Sequence, residues 1–417
     1  MSKLSNTMSK RKSRAICIPI EEQKYKAIVI NPYDFRDYLD SIIQRHPEIF
    51  PKEIVYGYHM KDQYLSSKQN IIIRRIVLKS TNISYSVRPS YLMPYMVGKT
   101  QEIKTALFLR QFAVPFWALV TICGRNKMYW YRIVVSIGRN SIVGSLCRKE
   151  SQIPKHLCVD EKHSKLKRNK VYIPMTAAKE CLFGISITEN ADELSLEDGY
   201  SDFKTEAISH YKKYSPETVN TDGWLATGLA WKNLFKPICV ILCILHVYIK
   251  IRDRFKHKGS IFVEVSERLW NAFRALNRKS FSQRIRRLHE WTHENTQSGD
   301  IVKQDPLLNR ITTLRKNLKS YSHAYLFPGS YRTSTHVDRT MRRLDRYLFN
   351  MQYFRGSLTS AYLHLRAWAV LHNFWPFSPD TVESSGFLHR ADRFNRFHYH
   401  DCWLQNLLIS SSLRGFR

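Results

Sequence analysis

The period of the hydrophobic positions changes along the chain, and each change marks a different kind of structure. Between Arg14 and about Thr100 the pattern is irregular. Short apolar runs such as "IIIRRIVL" are broken by polar clusters and by the two prolines of "VRPSYLMPYM", and no element is assigned there. From Glu102 the spacing becomes helical in "EIKTALFLRQF", in "PFWALVTICG" and in "RNKMYWYRIVVSIGR". The second of these opens on a proline suited to a first helical turn and closes on Gly124. Three short helices follow, in which Trp130, Ile133 and Val134 supply packing.

After Lys149 the pattern changes to strands. "HLCVDEKH", "VYIPMTA" and "CLFGISIT" read as three strands with short connections. A helix is expected over Ser201–Tyr214, with a Ser cap and Phe203, Ala207, Ile208 and Tyr211 at helical spacing. "ETVNTD" reads as a strand, "GWLATGLAWKNLF" as a helix, "ICVILCIL" as a buried strand and "HVYIKIRDRFK" as a helix. The predicted order β-β-β-α-β-α-β-α is that of a ribonuclease H-like mixed sheet, an α/β fold class that does not by itself give function. From Ser260 to about Ser322 the chain is helical and basic, as an insertion in that fold. It resumes at "RTSTHVDRTMRRLDR", where Val337, Met341, Leu344 and Leu348 form one apolar stripe.

The expected organisation is a basic arm over residues 1–14 and a mainly helical N-terminal DNA-binding region over 15–150. A catalytic domain over 151–375 follows, with its insertion at 260–322, and a tail over 376–417 whose prolines mark a linker. The longest apolar run, Pro237 to Ile249, is about two thirds of the roughly 20 residues a membrane span needs, so no membrane partner is expected.

Charge narrows the function. The 417 residues carry 66 Lys and Arg against 35 Asp and Glu, a surplus of +31 that exceeds what solubility requires. A polyanionic partner follows, with nucleic acid first because neutralising phosphates with Lys and Arg releases counterions. The helices near 102–140 suit a helix-turn-helix that would turn Arg125, Lys127 and Arg132 toward DNA. A small helical bundle with a solvated basic face fits the same residues. Eight scattered cysteines make neither a disulfide framework nor paired CxxC motifs, which fits a reducing cytoplasm; with a DNA partner, association with the nucleoid is expected.

The carboxylates carry the candidate chemistry. Asp160 lies in the first predicted strand of the sheet and Asp222 ends the fourth, 222 − 160 = 62 residues later. In this topology those strands are neighbours, so the two acids converge on one sheet edge. Such a pair suits Mg²⁺, which takes oxygen ligands and keeps several waters, and two ions of this kind serve an in-line phosphodiester displacement. Asp338, bordering the apolar stripe of its helix, is the expected third acid, with Asp345 the competitor. Arg339, Arg342 and Arg343 are left for DNA phosphates. Glu161 should point to the opposite face from Asp160, because side chains alternate along a strand. Cys243 and His246 are two ligands where a structural zinc site needs more, so they read as a core thiol and a packing or DNA-near imidazole. His398, His400, Asp401 and Cys402 read as part of a C-terminal tail, with metal binding as the alternative.

Together "GRNSIVG", "VDEKH", "VNTDGW", the CxxH of Cys243 to His246, "FSQRIRRL" and "RTSTHVDRTMRRLDR" resemble the DDE-type transposases of bacterial insertion sequences, in the variant with Asp as third acid. The similarity runs from about Gly57 to the C-terminus. It implies binding of double-stranded DNA at transposon ends, metal-dependent cleavage with two Mg²⁺ or Mn²⁺ ions, and strand transfer to target DNA by a homodimer. Asp160, Asp222 and Asp338 take the catalytic and metal positions by that resemblance. An inactive DNA-binding derivative, or a nuclease without strand transfer, are the alternatives.

Overall fold

The computed structural model of the chain describes residues 13–296 and 306–415, so the expected basic arm lies outside the described residues except for its last two. The N-terminal region, expected to be mainly helical, instead holds a mixed sheet in the stretch that periodicity left unassigned, because its first strand pairs with a segment distant in sequence. Strands β1 (Ala15–Ile18), β2 (Tyr58–Ser66), β3 (Ile71–Leu78) and β4 (Ser84–Pro89) lie in the order β1-β4-β3-β2. β1 runs parallel to β4 and the other pairs are antiparallel. Helices Glu22–Ile28 and Pro32–Arg45 accompany it and bury Tyr25, Phe35, Leu39 and Ile42. Asn31 caps the second helix by accepting from Tyr33 N, and Pro32 fills its first turn.

The three expected helices are Thr100–Leu109, Phe116–Cys123 and Lys127–Gly138. Gly124, at φ +68°, ends the second as a residue free to adopt positive φ. Trp130, Ile133 and Val134 are buried, as the spacing requires. The third helix packs on helix Leu358–Phe374 at close range: a Cβ on Gly138 would stand 2.0 Å from the Leu363 carbonyl oxygen. Arg366 fixes this crossing by donating to the carbonyls of Gly138 and Asn140.

The second sheet holds β5 (His156–Leu166), β6 (Asn169–Ala178), β7 (Cys181–Ile185), β8 (Thr218–Thr221) and β9 (Cys239–Leu242) in the order β7-β6-β5-β8-β9. β5, β6 and β7 form an antiparallel meander, while β5, β8 and β9 are parallel. Helices Glu193–His210 and Leu225–Leu234 are the crossovers between the parallel strands. The first begins eight residues before the expected Ser201. Asp192 caps it through Ser195 N, and the early turns pack through Gly199 against Pro174 and Thr188, a contact that leaves no apolar periodicity to read. Helix Thr335–Asn350 packs on β5 and β6 and buries Val337, Met341, Leu344 and Leu348.

Two boundaries differ from expectation. Helices Ser260–Phe273, Arg278–Thr296, Pro306–Lys316 and Leu318–Ser322 share a separate core that includes Ile244, Ile251 and Phe255. Helix Ile244–Phe255 therefore packs with the insertion, because its apolar stripe faces Val265, Leu269 and Ile311. The C-terminal stretch is no tail. Helix Trp403–Ser410 is buried throughout most of its length, and Ser412 accepts from Cys17 N on β1. A single core runs from Ile16 through the second sheet to Ile409, so neither 150 nor 375 is a boundary between cores. Among the described residues no helix is long and apolar enough to cross a membrane.

Candidate metal centre

Strand register brings the first two acids together. Cys158 on β5 pairs with Asn220 on β8, and Asp160 and Asp222 each lie two residues further on. In parallel neighbours about 4.8 Å apart, equal offsets put both acids at the same edge and on the same face. β8 ends one residue before Asp222, where Gly223 adopts φ +99° and turns the chain toward helix Leu225–Leu234. The Asp222 carboxylate accepts from Trp224 N at 2.8 Å and so closes its own turn.

Asp338 arrives from helix Thr335–Asn350, in its first turn. Its carboxylate, that of Asp160 and a ring nitrogen of His246 lie within 4.8 Å of one another, the one such group of three found among the described residues. Of the expected set, Asp160 and Asp338 are thus brought together, and His246 joins them. Asp222 is outside the tight group, and its carboxylate is turned to the Trp224 amide. Asp222 stays close enough for its charge to act on Asp160. Burial first, then Asp222 and Glu161, push the Asp160 carboxyl well above the ordinary carboxylate range. Burial also raises Asp338, against the opposing effects of the Ser334 hydrogen bond and the charges of His246 and Arg342. Crowded acids held above their usual pKa are what a cation-binding pocket presents before a cation neutralises it.

His246 reaches this position because β9 ends at Leu242 and helix Ile244–Phe255 begins two residues later, at the same sheet edge as β5 and β8. Cys243 is buried and the imidazole lies one helical turn beyond it. The thiol takes a structural part, as the spacing implied, but the imidazole belongs to the site rather than to packing. Ser334, fully buried, is a residue the sequence did not single out. It sits at the N-terminal cap position of the third-acid helix and donates to Asp338 Oδ2 at 2.9 Å. The CxxH spacing was the available signal for His246, and a Ser four residues before the third acid was the signal for Ser334.

The remaining candidates separate clearly. Asp345 pairs with Lys162 at 3.0 Å and is not part of the acid group. Glu161 points to the other face, as alternation predicts. Its Oε1 accepts from the Tyr200 and Thr227 hydroxyls, both at 2.7 Å, while burial pushes its pKa up to about 7. Arg125, Lys127 and Arg132 are exposed, as are Arg339, Arg342 and Arg343 on the third-acid helix. His398 reaches Asp392 and Asp401, while His400 reaches Glu21, so the ring nitrogens of that C-terminal cluster are drawn to different partners.

The donor set is chemically consistent. Carboxylate oxygens suit Mg²⁺ and Mn²⁺, and an imidazole nitrogen shifts the balance toward Mn²⁺ and later transition ions. No protein-family model matches this chain, and no curated protein matches it.

Proposed function

We propose that the protein is a metal-dependent DNA strand-cutting and strand-joining enzyme, a transposase built on a ribonuclease H-like sheet. The observation that carries this reading is the convergence of Asp160, Asp338 and His246, with Asp222 alongside, at one edge of a sheet ordered β7-β6-β5-β8-β9. The strand order and the crossover helices support the fold assignment, and the +31 charge supports a nucleic-acid substrate.

Asp160 and Asp338 would hold a divalent cation with His246, and Asp222 would complete the shell or hold a second ion. Once bound, such ions supply Lewis-acid activation of the attacking oxygen and neutralise charge on the leaving oxygen. Ser334 fixes the Asp338 carboxylate, and the neighbouring arginines hold phosphates beside the acids. In the reaction, water attacks phosphorus and the bond from phosphorus to the 3′ oxygen breaks, leaving a 3′-hydroxyl and a 5′-phosphate; that hydroxyl then attacks a phosphodiester of target DNA, whose own bond from phosphorus to its 3′ oxygen breaks and releases a target 3′-hydroxyl. The partners of this reading are duplex DNA and a second copy of the chain.

The test uses a supercoiled plasmid carrying the DNA that flanks the gene, incubated with purified protein and Mn²⁺ or Mg²⁺. Nicking by wild type, absent in Asp160→Ala, is expected, and joined products separate strand transfer from plain hydrolysis. No metal-dependent nicking by wild type, or equal nicking by Asp160→Ala, would remove the reading.

A further inference from the structure

Beyond the acids, β5 and β6 continue as a hairpin whose tip is built around positive charge. Leu166 pairs with Asn169, leaving Lys167 and Arg168 as a two-residue turn with φ of 49° and 73°. Asn-Gly is the preferred pair for such a turn, since two residues with positive φ are disfavoured for side chains of this size. The backbone strain of this turn is thus concentrated on two cationic residues. The other hairpin turn of this sheet, Lys179–Glu180, also has positive φ, but its acid is ion-paired with Arg393.

The tip does not stand free. Lys167 N donates to Phe354 O at 2.9 Å and Leu166 bridges to Phe354, which staples the turn to the loop that follows helix Thr335–Asn350. In that loop Gln352 and Tyr353 also have positive φ. The two turns enclose an open recess of about 520 Å³ edged by Lys165, Lys167, Arg168 and Arg355, all exposed. Among the described residues no carboxylate pairs with any of these four cations. The Lys162–Asp345 ion pair ties strand to helix between the recess and the acids.

We propose that this recess clamps the phosphodiester backbone of duplex DNA on the flank of the reacting phosphate. Leu166 lies six residues beyond Asp160 along β5, about 20 Å at roughly 3.3 Å per residue. On a duplex rising about 3.4 Å per base pair, the clamp meets the backbone about six base pairs from the acids. Sequence readout is not expected, because the cations face phosphates with no built pocket for a base edge. The inference rests on the strand-cutting reading for the substrate and on the recess geometry for the site.

The test replaces the turn by its preferred pair, Lys167→Asn with Arg168→Gly, so that removing charge also relieves the backbone and the variant folds at least as well. Binding to a fluorescein-labelled 40-base-pair duplex of arbitrary sequence is followed by anisotropy against salt. The variant should bind at least tenfold more weakly at 0.15 M salt, with the log–log salt slope flatter by about 0.9 for each phosphate no longer neutralised. Adding Lys165→Ala and Arg355→Ala should flatten it further. An unchanged slope in the four-site variant would overturn the clamp, even if wild type nicks plasmid. A hairpin-dependent slope in a wild type that cuts nothing would keep the clamp and remove the strand-cutting reading instead.

Discussion

Ser334 Oγ lies 2.9 Å from Asp338 Oδ2, and the same oxygen stands 3.3 Å from His246 Nδ1 and 3.2 Å from Cys243 Sγ. One buried hydroxyl therefore links the third acid to the imidazole that shares its site. Removing it should leave both side chains present but unheld. Ser334→Ala is expected to lower cleavage about 10- to 100-fold, the usual cost of losing a partner that orients a metal ligand. The Mn²⁺ concentration for half-maximal rate should rise with it, and an unchanged metal titration would refute the linkage.

Asp160→Ala, Asp222→Ala and Asp338→Ala should each abolish plasmid nicking while leaving duplex binding largely intact, because phosphate neutralisation uses other residues. Asp345→Ala should nick normally, since Asp345 pairs with Lys162 and not with the acid group. Loss of nicking in Asp345→Ala with retention in Asp338→Ala would reverse the assignment of the third acid.

In the proposed site His246 should set the preference among ions. With the imidazole in place Mn²⁺ should bind more tightly than Mg²⁺, following nitrogen-ligand affinity. His246→Ala should weaken Mn²⁺ binding by calorimetry about 10- to 100-fold and affect Mg²⁺ less. Equal weakening for both ions would place His246 outside the coordination sphere.

Glu161 gives stability a pH dependence of definite sign. Its folded-state pKa of about 7 is raised from 4.5, so between those values the folded protein holds more protons than the unfolded chain. The contribution is fully present below pH 4.5 and is lost as pH rises to about 7, a difference on the order of 3 kcal/mol. Glu161→Gln should flatten the urea-unfolding profile across that window. A wild-type slope in the variant would show that another group titrates there.

Arg366 and Glu206 form an ion pair that is almost wholly buried, with side chains 5% and 7% exposed. Arg366 also holds the crossing of helices Lys127–Gly138 and Leu358–Phe374 through two carbonyls. Arg366→Ala leaves Glu206 charged and unpaired, at a cost of about 3–5 kcal/mol in urea unfolding. Arg366→Met combined with Glu206→Gln should recover much of that loss. If the double variant is no more stable than the single one, the cost lies in the two carbonyls left without their guanidinium donor.

Strand alternation and helical period, both local properties, made much of the second sheet legible. They placed Asp160 and Glu161 on opposite faces, set Asp222 at a strand end and laid the stripe of Val337, Met341, Leu344 and Leu348 beside Asp338. The N-terminal sheet was not legible, because β1 pairs with β4 across more than sixty intervening residues and the apolar run of β3 carries no alternation to read. Likewise the burial of helix Trp403–Ser410 against β1 joins opposite ends of the chain. The sequence by itself determined which acids could share a sheet edge and the surplus of +31 charges that the fold has to carry. Only the tertiary structure decided that Asp222 turns to its own backbone, that Ser334 and His246 join Asp338, and that Asp345 is held by Lys162. The physical reason is that a carboxylate takes whichever donor packing brings within about 3 Å, and packing between segments distant in sequence leaves no trace in either one.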